Sequence, residues 1–127
     1  MGRYYWGDIE GKFWFAVQSS DDASNFGVEG EYHEKSGTID YEFYKHNLPK
    51  IHEQLQKVRD ELGSYMGELN EFFKNNNGYN DEMIVEQTNI PADKVKRALE
   101  LYARHGLGIE IRDCIMNTGS CMFEAEC

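Results

Sequence analysis

The chain has 127 residues, with 13 Lys and Arg against 23 Asp and Glu and a net charge of −10. That length lets one unit, or two small lobes sharing a helix, bury a substantial core, and that charge works against generic duplex binding, which needs a basic surface to meet phosphates. No apolar run approaches a membrane span, Met1-Gly2-Arg3-Tyr4-Tyr5-Trp6 lacks the apolar centre of a signal peptide, and Trp6 stands where a myristoylation signal has Ser or Thr, so a soluble protein of the reducing cytoplasm is expected.

Residues 3 to 44 are expected to form a four-stranded antiparallel meander, and an N-terminal β lobe is drawn over 1–47. In the first hairpin Tyr5 and Ile9 oppose Tyr4 and Trp6 in parity. Phe13, Phe15 and Val17 oppose Trp14 and Ala16 in the same way, with Glu10-Gly11 as the turn. Both faces of this hairpin are apolar. One is expected to lie on the chain's own helix and the other under the C-terminal lobe, a second subunit or a ligand. Ser19 to Gly27 is a polar linker that adds Asp21 and Asp22.

The second hairpin is different. Val28, Gly30 and Tyr32 alternate with Glu29, Glu31 and His33. Glu34-Lys35-Ser36-Gly37 turns, and Ile39, Tyr41 and Phe43 alternate with Thr38, Asp40 and Glu42. With a four-residue loop, Glu31 lies opposite Asp40 and Glu29 opposite Glu42; with a two-residue loop, Glu31 meets Glu42. Like charges directly across a ladder are destabilising. The acidic face is therefore expected to meet something positive.

Leu48, Ile51, Leu55, Val58, Leu62, Tyr65, Leu69 and Phe72 repeat at alternating spacings of three and four, the seam of a heptad helix over 48–74, with 48–77 as a connecting segment. Asn47 is a candidate cap, and Pro49 is tolerated in the first turn. The seam either packs on the sheet or pairs across a homodimer axis, for which the 3–18 hairpin is the other candidate surface. Gly63 and Gly67 each cost roughly 1 kcal/mol against Ala in a helix interior and mark a bend or a close approach.

After Asn75-Asn76-Asn77-Gly78, a helix capped by Asn80 is expected to reach about Thr88. A second helix runs from about Ala92 to a stop at Gly106, and a hairpin over 109–127 turns at Asn117 to Ser120. Met83, Ile84 and Val85, then Thr88-Asn89-Ile90-Pro91, then Val95, Ala98, Leu99 and Tyr102, and Gly106-Leu107 carry a pattern that resembles a winged helix-turn-helix domain over the last two-fifths of the chain. The resemblance implies an α+β fold with a winged-helix-like lobe at 78–127, whose second helix faces DNA or a protein partner. Outside that helix's apolar side lie Asp93, Lys96, Arg97, Glu100 and Arg104. Asp93 with Arg97 and Glu100 with Arg104 form i, i+4 pairs that neutralise much of its charge.

Cys114, Cys121 and Cys127 lack C-x-x-C spacing and read as reduced thiols, with Cys121 and Cys127 on the core parity. No catalytic or nucleotide-binding motif is present, the four His are dispersed, and carboxylates along a flat strand do not converge on a cation. A protein without enzymatic activity, metal or cofactor is expected.

The leading expectation is a small acidic interaction protein that presents Glu29, Glu31, Asp40 and Glu42, with Asp21 and Asp22 nearby, to a basic protein surface. Alternate strand residues repeat at roughly 6.6 to 6.8 Å, so facing strands set carboxylates in rows like a crude phosphate array. Acidic nucleic-acid mimics of the kind viral or mobile elements use as inhibitors have this character. The alternative is a winged-helix DNA-binding regulator that uses Lys94, Lys96, Arg97 and Arg104. A third class, a small-ligand sensor, would use Tyr4, Trp6 and Trp14 and show a pocket between sheet and helix.

Overall fold

Five strands and four α-helices make up the computed structural model, which describes residues 3–14 and 16–127. Met1, Gly2 and Phe15, the last expected on the second strand, lie outside the described residues. In chain order the elements are β1 (Tyr4–Gly7), β2 (Gly11–Lys12), a 3₁₀ turn (Asp22–Phe26), β3 (Glu31–His33), β4 (Thr38–Tyr44), α1 (Leu48–Leu62), α2 (Tyr65–Asn75), α3 (Asp81–Gln87), α4 (Val95–Thr118) and β5 (Ser120–Glu126). The α+β class predicted from patterning holds. The strands form one antiparallel sheet in the order β2-β1-β5-β4-β3.

The expected four-stranded meander is therefore corrected. The last strand of the chain separates its first two hairpins, with Tyr5 opposite Ala125 on one side and Ile39 opposite Ala125 on the other. β2 is only two residues long; the Phe13 N–H still donates to the Arg3 carbonyl at 2.9 Å, and Trp14 leaves the sheet rather than extending it.

One sheet face carries Tyr5, Tyr41, Phe43, Cys121, Phe123 and Ala125. They are buried against Phe26 of the 3₁₀ turn, Ile51 and Leu55 of α1, and Leu107, Ile111 and Ile115 of α4. A second core joins the far ends of α1 and α4 to α2 and α3 through Val58, Leu62, Leu69, Phe72, Ile84 and Leu99. The heptad seam thus packs inside the chain. Its helix is broken: Gly63, at φ 53° and ψ −128°, takes a conformation that L residues disfavour, and α2 starts two residues later.

The expected wing is absent among the described residues. α4 does not stop at Gly106 but runs 24 residues to Thr118. Leu107, Ile111 and Ile115 recur every four residues and all point into the core. Gly108 tolerates the helix because its missing side chain is useful. A Cβ there would lie 2.4 Å from the Phe26 ring and 2.7 Å from Leu55. The segment 109–116, expected as a strand, is helix for that reason, and 120–126 pairs with the N-terminal strands rather than with a wing partner. Two helices joined by a turn are present in this segment: Asn80 accepts a hydrogen bond from the Met83 N–H at 2.9 Å, and α4 follows the Ile90-Pro91 turn.

Candidate functional site

The helices cover only one face of the sheet. Because side chains alternate along a strand, the residues between the core positions point to the opposite side. Tyr4 and Trp6 of β1, Asp40, Glu42 and Tyr44 of β4, and Met122 and Glu124 of β5 all lie there. Tyr4 is 50% exposed, Trp6 39% and Met122 40%, so this face is open to solvent in the isolated chain. Large apolar side chains gathered on one open sheet face are a mark of an interaction surface.

Strand register sets the chemistry of this face. The loop has four residues, so Glu31 is opposite Asp40, as the longer-loop register predicts. On its other side Asp40 is opposite Glu124, and Glu124 is opposite Trp6. Three carboxylates and an indole thus form one row across four strands, at the interstrand spacing of about 4.8 Å. Two unit charges about 5 Å apart in water repel by about 0.8 kcal/mol, so each neighbouring pair in the row is a modest cost. Neighbours offset part of it. The Trp6 Nε1–H donates to Glu124 Oε2 at 2.7 Å, and His33 Nε2 lies 2.8 Å from Asp40 Oδ2. Asp40 Oδ1 is screened from solvent and accepts no hydrogen bond among the described residues, which costs about 1–3 kcal/mol.

Not every predicted carboxylate joins the row. Glu42 lies on the same face, opposite Met122. Glu29 is exposed just before β3. Asp21 is exposed at the start of the 3₁₀ turn, accepting from the Ser19 hydroxyl at 2.6 Å. Asp22 is not presented at all. It is 1% exposed and bound to Arg104 at 2.8 Å, beside hydrogen bonds from Gln18 at 2.9 Å and Asn25 at 3.2 Å. Its place in the predicted acidic surface is corrected, because a buried carboxylate needs paired charge and donors to be stable. Sequence reading missed Glu124 and Met122 as members of the face. Their alternation with Cys121, Phe123 and Ala125 was visible, but the strand's partners were not.

The predicted cationic stripe is divided. Lys94 and Lys96 are exposed. Arg97 is held by Glu61 at 2.8 Å and Glu100 at 2.9 Å, and its pKa is raised chiefly by the Glu61 hydrogen bond. Arg104 is consumed by Asp22 and by Glu100 at 3.1 Å. Two of the four side chains thus point into the protein's own carboxylates.

The three aromatics expected in one ligand pocket are also divided. Tyr4 and Trp6 are on the open sheet face, whereas Trp14 packs edge-on against Phe73 and Tyr102, with ring centroids 5.2 and 5.9 Å away. Trp14 lines a cleft of about 380 Å³ between the β1–β2 edge, α1, α2 and α4. Cys121 is fully buried as predicted, and burial pushes its thiol pKa up; Cys127 is exposed and Cys114 half-buried. Among the described residues no three His, Cys, Asp or Glu side chains converge as a metal site requires, and no helix is long and apolar enough to cross a membrane.

Compared with known proteins, the chain matches no family model, no curated protein and no solved structure.

Proposed function

We propose that this protein is a non-enzymatic interaction protein whose open sheet face docks onto a basic protein surface. The observation that supports this reading is the row Trp6, Glu124, Asp40 and Glu31 on a face that no element among the described residues covers. Lys and Arg side chains suit both halves of it. Their charged ends meet the carboxylates, and their cationic heads stack on the faces of Trp6, Tyr4 and Tyr44. A second copy of the chain suits it poorly, since a self-complementary contact would bring two carboxylate rows together in a protein of net charge −10. Carboxylate rows separated by strand spacings also approximate a phosphate backbone, so a nucleic-acid-binding surface is the preferred kind of basic partner.

A fluorescence titration with nona-arginine, read through tryptophan emission, tests the reading. The native chain is expected to bind with an affinity that falls as salt rises. The triple reversal E31K/D40K/E124K is expected to lose at least tenfold while keeping its circular dichroism. Unchanged binding by that variant would refute the proposal. A random-sequence duplex is expected not to bind even at low salt. Duplex binding with a steep salt slope would favour the regulator reading through Lys94 and Lys96 instead.

A further inference from the structure

A different surface carries a second chemistry. The cleft beside Trp14 holds Arg59, and in this acid-rich chain Arg59 is unusual in its company. Its guanidinium donates to His105 Nε2 at 3.2 Å and to Gln56 Oε1 at 3.2 Å, both neutral acceptors. Among the described residues no carboxylate lies within 4 Å of it, whereas Arg97, Arg104 and Arg112 each have one; Arg3 is also without one, but it bonds Ser20 and the Gln18 carbonyl outside this cleft. A guanidinium has only donors, so His105 Nε2 must be the accepting nitrogen and the imidazole is neutral. Arg59 and Arg112 add to the burial that already holds the His105 pKa down. Among the described residues that line the cleft the one carboxylate is Glu110, which accepts from the Tyr5 hydroxyl and keeps its charge, so the ligand's own carboxylate is set at Arg59 and not at that end. Lys12 lines the cleft too, with its ammonium 5.8 Å over the Tyr4 ring, and Arg59 is the one guanidinium among the described lining residues.

The walls are flat and aromatic. Trp14 and Tyr102 both line the cleft, and the Tyr102 hydroxyl is fixed by donation to Asn70 Oδ1 at 2.6 Å. A volume of about 380 Å³ falls within the range of small-molecule sites, where mostly apolar walls and a few placed polar groups define the ligand. We infer that this cleft binds a small aromatic carboxylate, with the carboxylate on the Arg59 fork and the ring against Trp14 and Tyr102. The planar guanidinium matches a carboxylate in two parallel hydrogen bonds, which an ammonium cannot do.

Phenylacetate is the probe, titrated into the native protein and followed by NMR of the His105 ring and the Trp14 indole. Saturable shifts of both are expected, and absence of shifts at His105 overturns the inference. Calorimetry supplies the class test. Benzylamine and inorganic phosphate are expected to bind at least tenfold more weakly than phenylacetate, and equal binding of either overturns the assignment. Arg59→Met is expected to weaken phenylacetate at least tenfold and Arg59→Lys by a smaller factor, with thermal unfolding checking that each variant folds. Should Arg59→Met not fold, Tyr102→Leu probes the ring wall, and an unchanged affinity there overturns the inference. None of these readouts depends on the open sheet face.

Discussion

Replacing Arg104 by Met is expected to be among the most destabilising changes to any charged residue in this protein. Arg104 is 12% exposed and Asp22 1%, and the pair at 2.8 Å ties the 3₁₀ turn to α4 across 82 residues of sequence. Removing the guanidinium strands a carboxylate that keeps only the Gln18 and Asn25 amides as side-chain partners. Breaking one side of a buried pair costs about 3–5 kcal/mol, against a total stability of about 5–15 kcal/mol for a domain. With a urea slope of about 2 kcal/mol per molar, the unfolding midpoint should fall by about 1.5–2.5 M.

The double variant Asp22→Asn with Arg104→Met separates this cause from lost packing. It removes both charges while keeping one acceptor oxygen for the Gln18 or the Asn25 amide, each of which donates to a separate oxygen of Asp22, and it is expected to recover about 2 kcal/mol of the single-variant loss, since the stranded charge is gone. By contrast, Arg97→Met should cost no more than about 1 kcal/mol. Its bridge to Glu61 joins side chains that are both about half-exposed, where water screens the pair. Urea denaturation followed by circular dichroism measures all three. A loss below about 1 kcal/mol for Arg104→Met, or a double variant no more stable than the single one, would refute the reasoning.

The α4 glycines give an opposed pair. Gly108→Ala would place a Cβ 2.4 Å from Phe26 and should destabilise by about 1–3 kcal/mol, whereas Gly106→Ala meets nothing within 4 Å and should stabilise by about 1 kcal/mol; thermal melts of the two should move in opposite directions. At the helix break, Gly63→Ala should cost about 1–3 kcal/mol, because its φ of 53° and ψ of −128° strain a side chain even though space is open. His105 supplies a pH effect. Its folded pKa is below the ordinary 6.5, so the unfolded chain takes up the proton first. Stability is flat above that value, falls as pH drops from about 6.5 to the folded pKa, and is flat again below it as far as this residue is concerned. NMR titration should place the His105 midpoint under 6.5, and Arg59→Met should raise it towards the ordinary value without fully restoring it, because burial remains the larger cause.

What could be read from the sequence was mainly local. Of the two registers the sequence allowed, the four-residue loop with Glu31 opposite Asp40 is the one that forms; the Asn80 cap started α3, and the seam from Ile51 to Phe72 identified a buried helical stripe, which breaks at Gly63, whereas Gly67, marked in the same way, stays inside α2. The errors arose where one apolar run satisfies two periods. Ile109 and Ile111 alternate as a strand would, but Leu107, Ile111 and Ile115 also recur every four residues, and the helical reading won because that stripe fills the space above Tyr41, Phe43 and Phe123. Gly106 was read as a stop, and Gly108 follows two residues later. Their intrinsic cost of about 1 kcal/mol each is small beside the burial gained when Phe26 and Leu55 close over Gly108.

The remaining gap is non-local pairing, and it bears directly on the candidate surface. Nothing near residue 124 says that β5 will lie between β1 and β4, so the carboxylate that extends the acidic row came from a segment read as a separate lobe. The same insertion brings Trp6 against Glu124 and Met122 beside Asp8, whose carboxylate accepts from the Met122 N–H at 2.9 Å. A two-stranded acidic hairpin thereby becomes a face three carboxylates wide with an aromatic border. Core alternation requires outward side chains on β5, but it does not require Glu at 124 opposite Asp40. The core could be kept with a neutral residue there, at a saving of roughly 0.8 kcal/mol of repulsion. A sheet that keeps that repulsion at its centre, with no helix over it among the described residues, is consistent with the basic-partner surface proposed above.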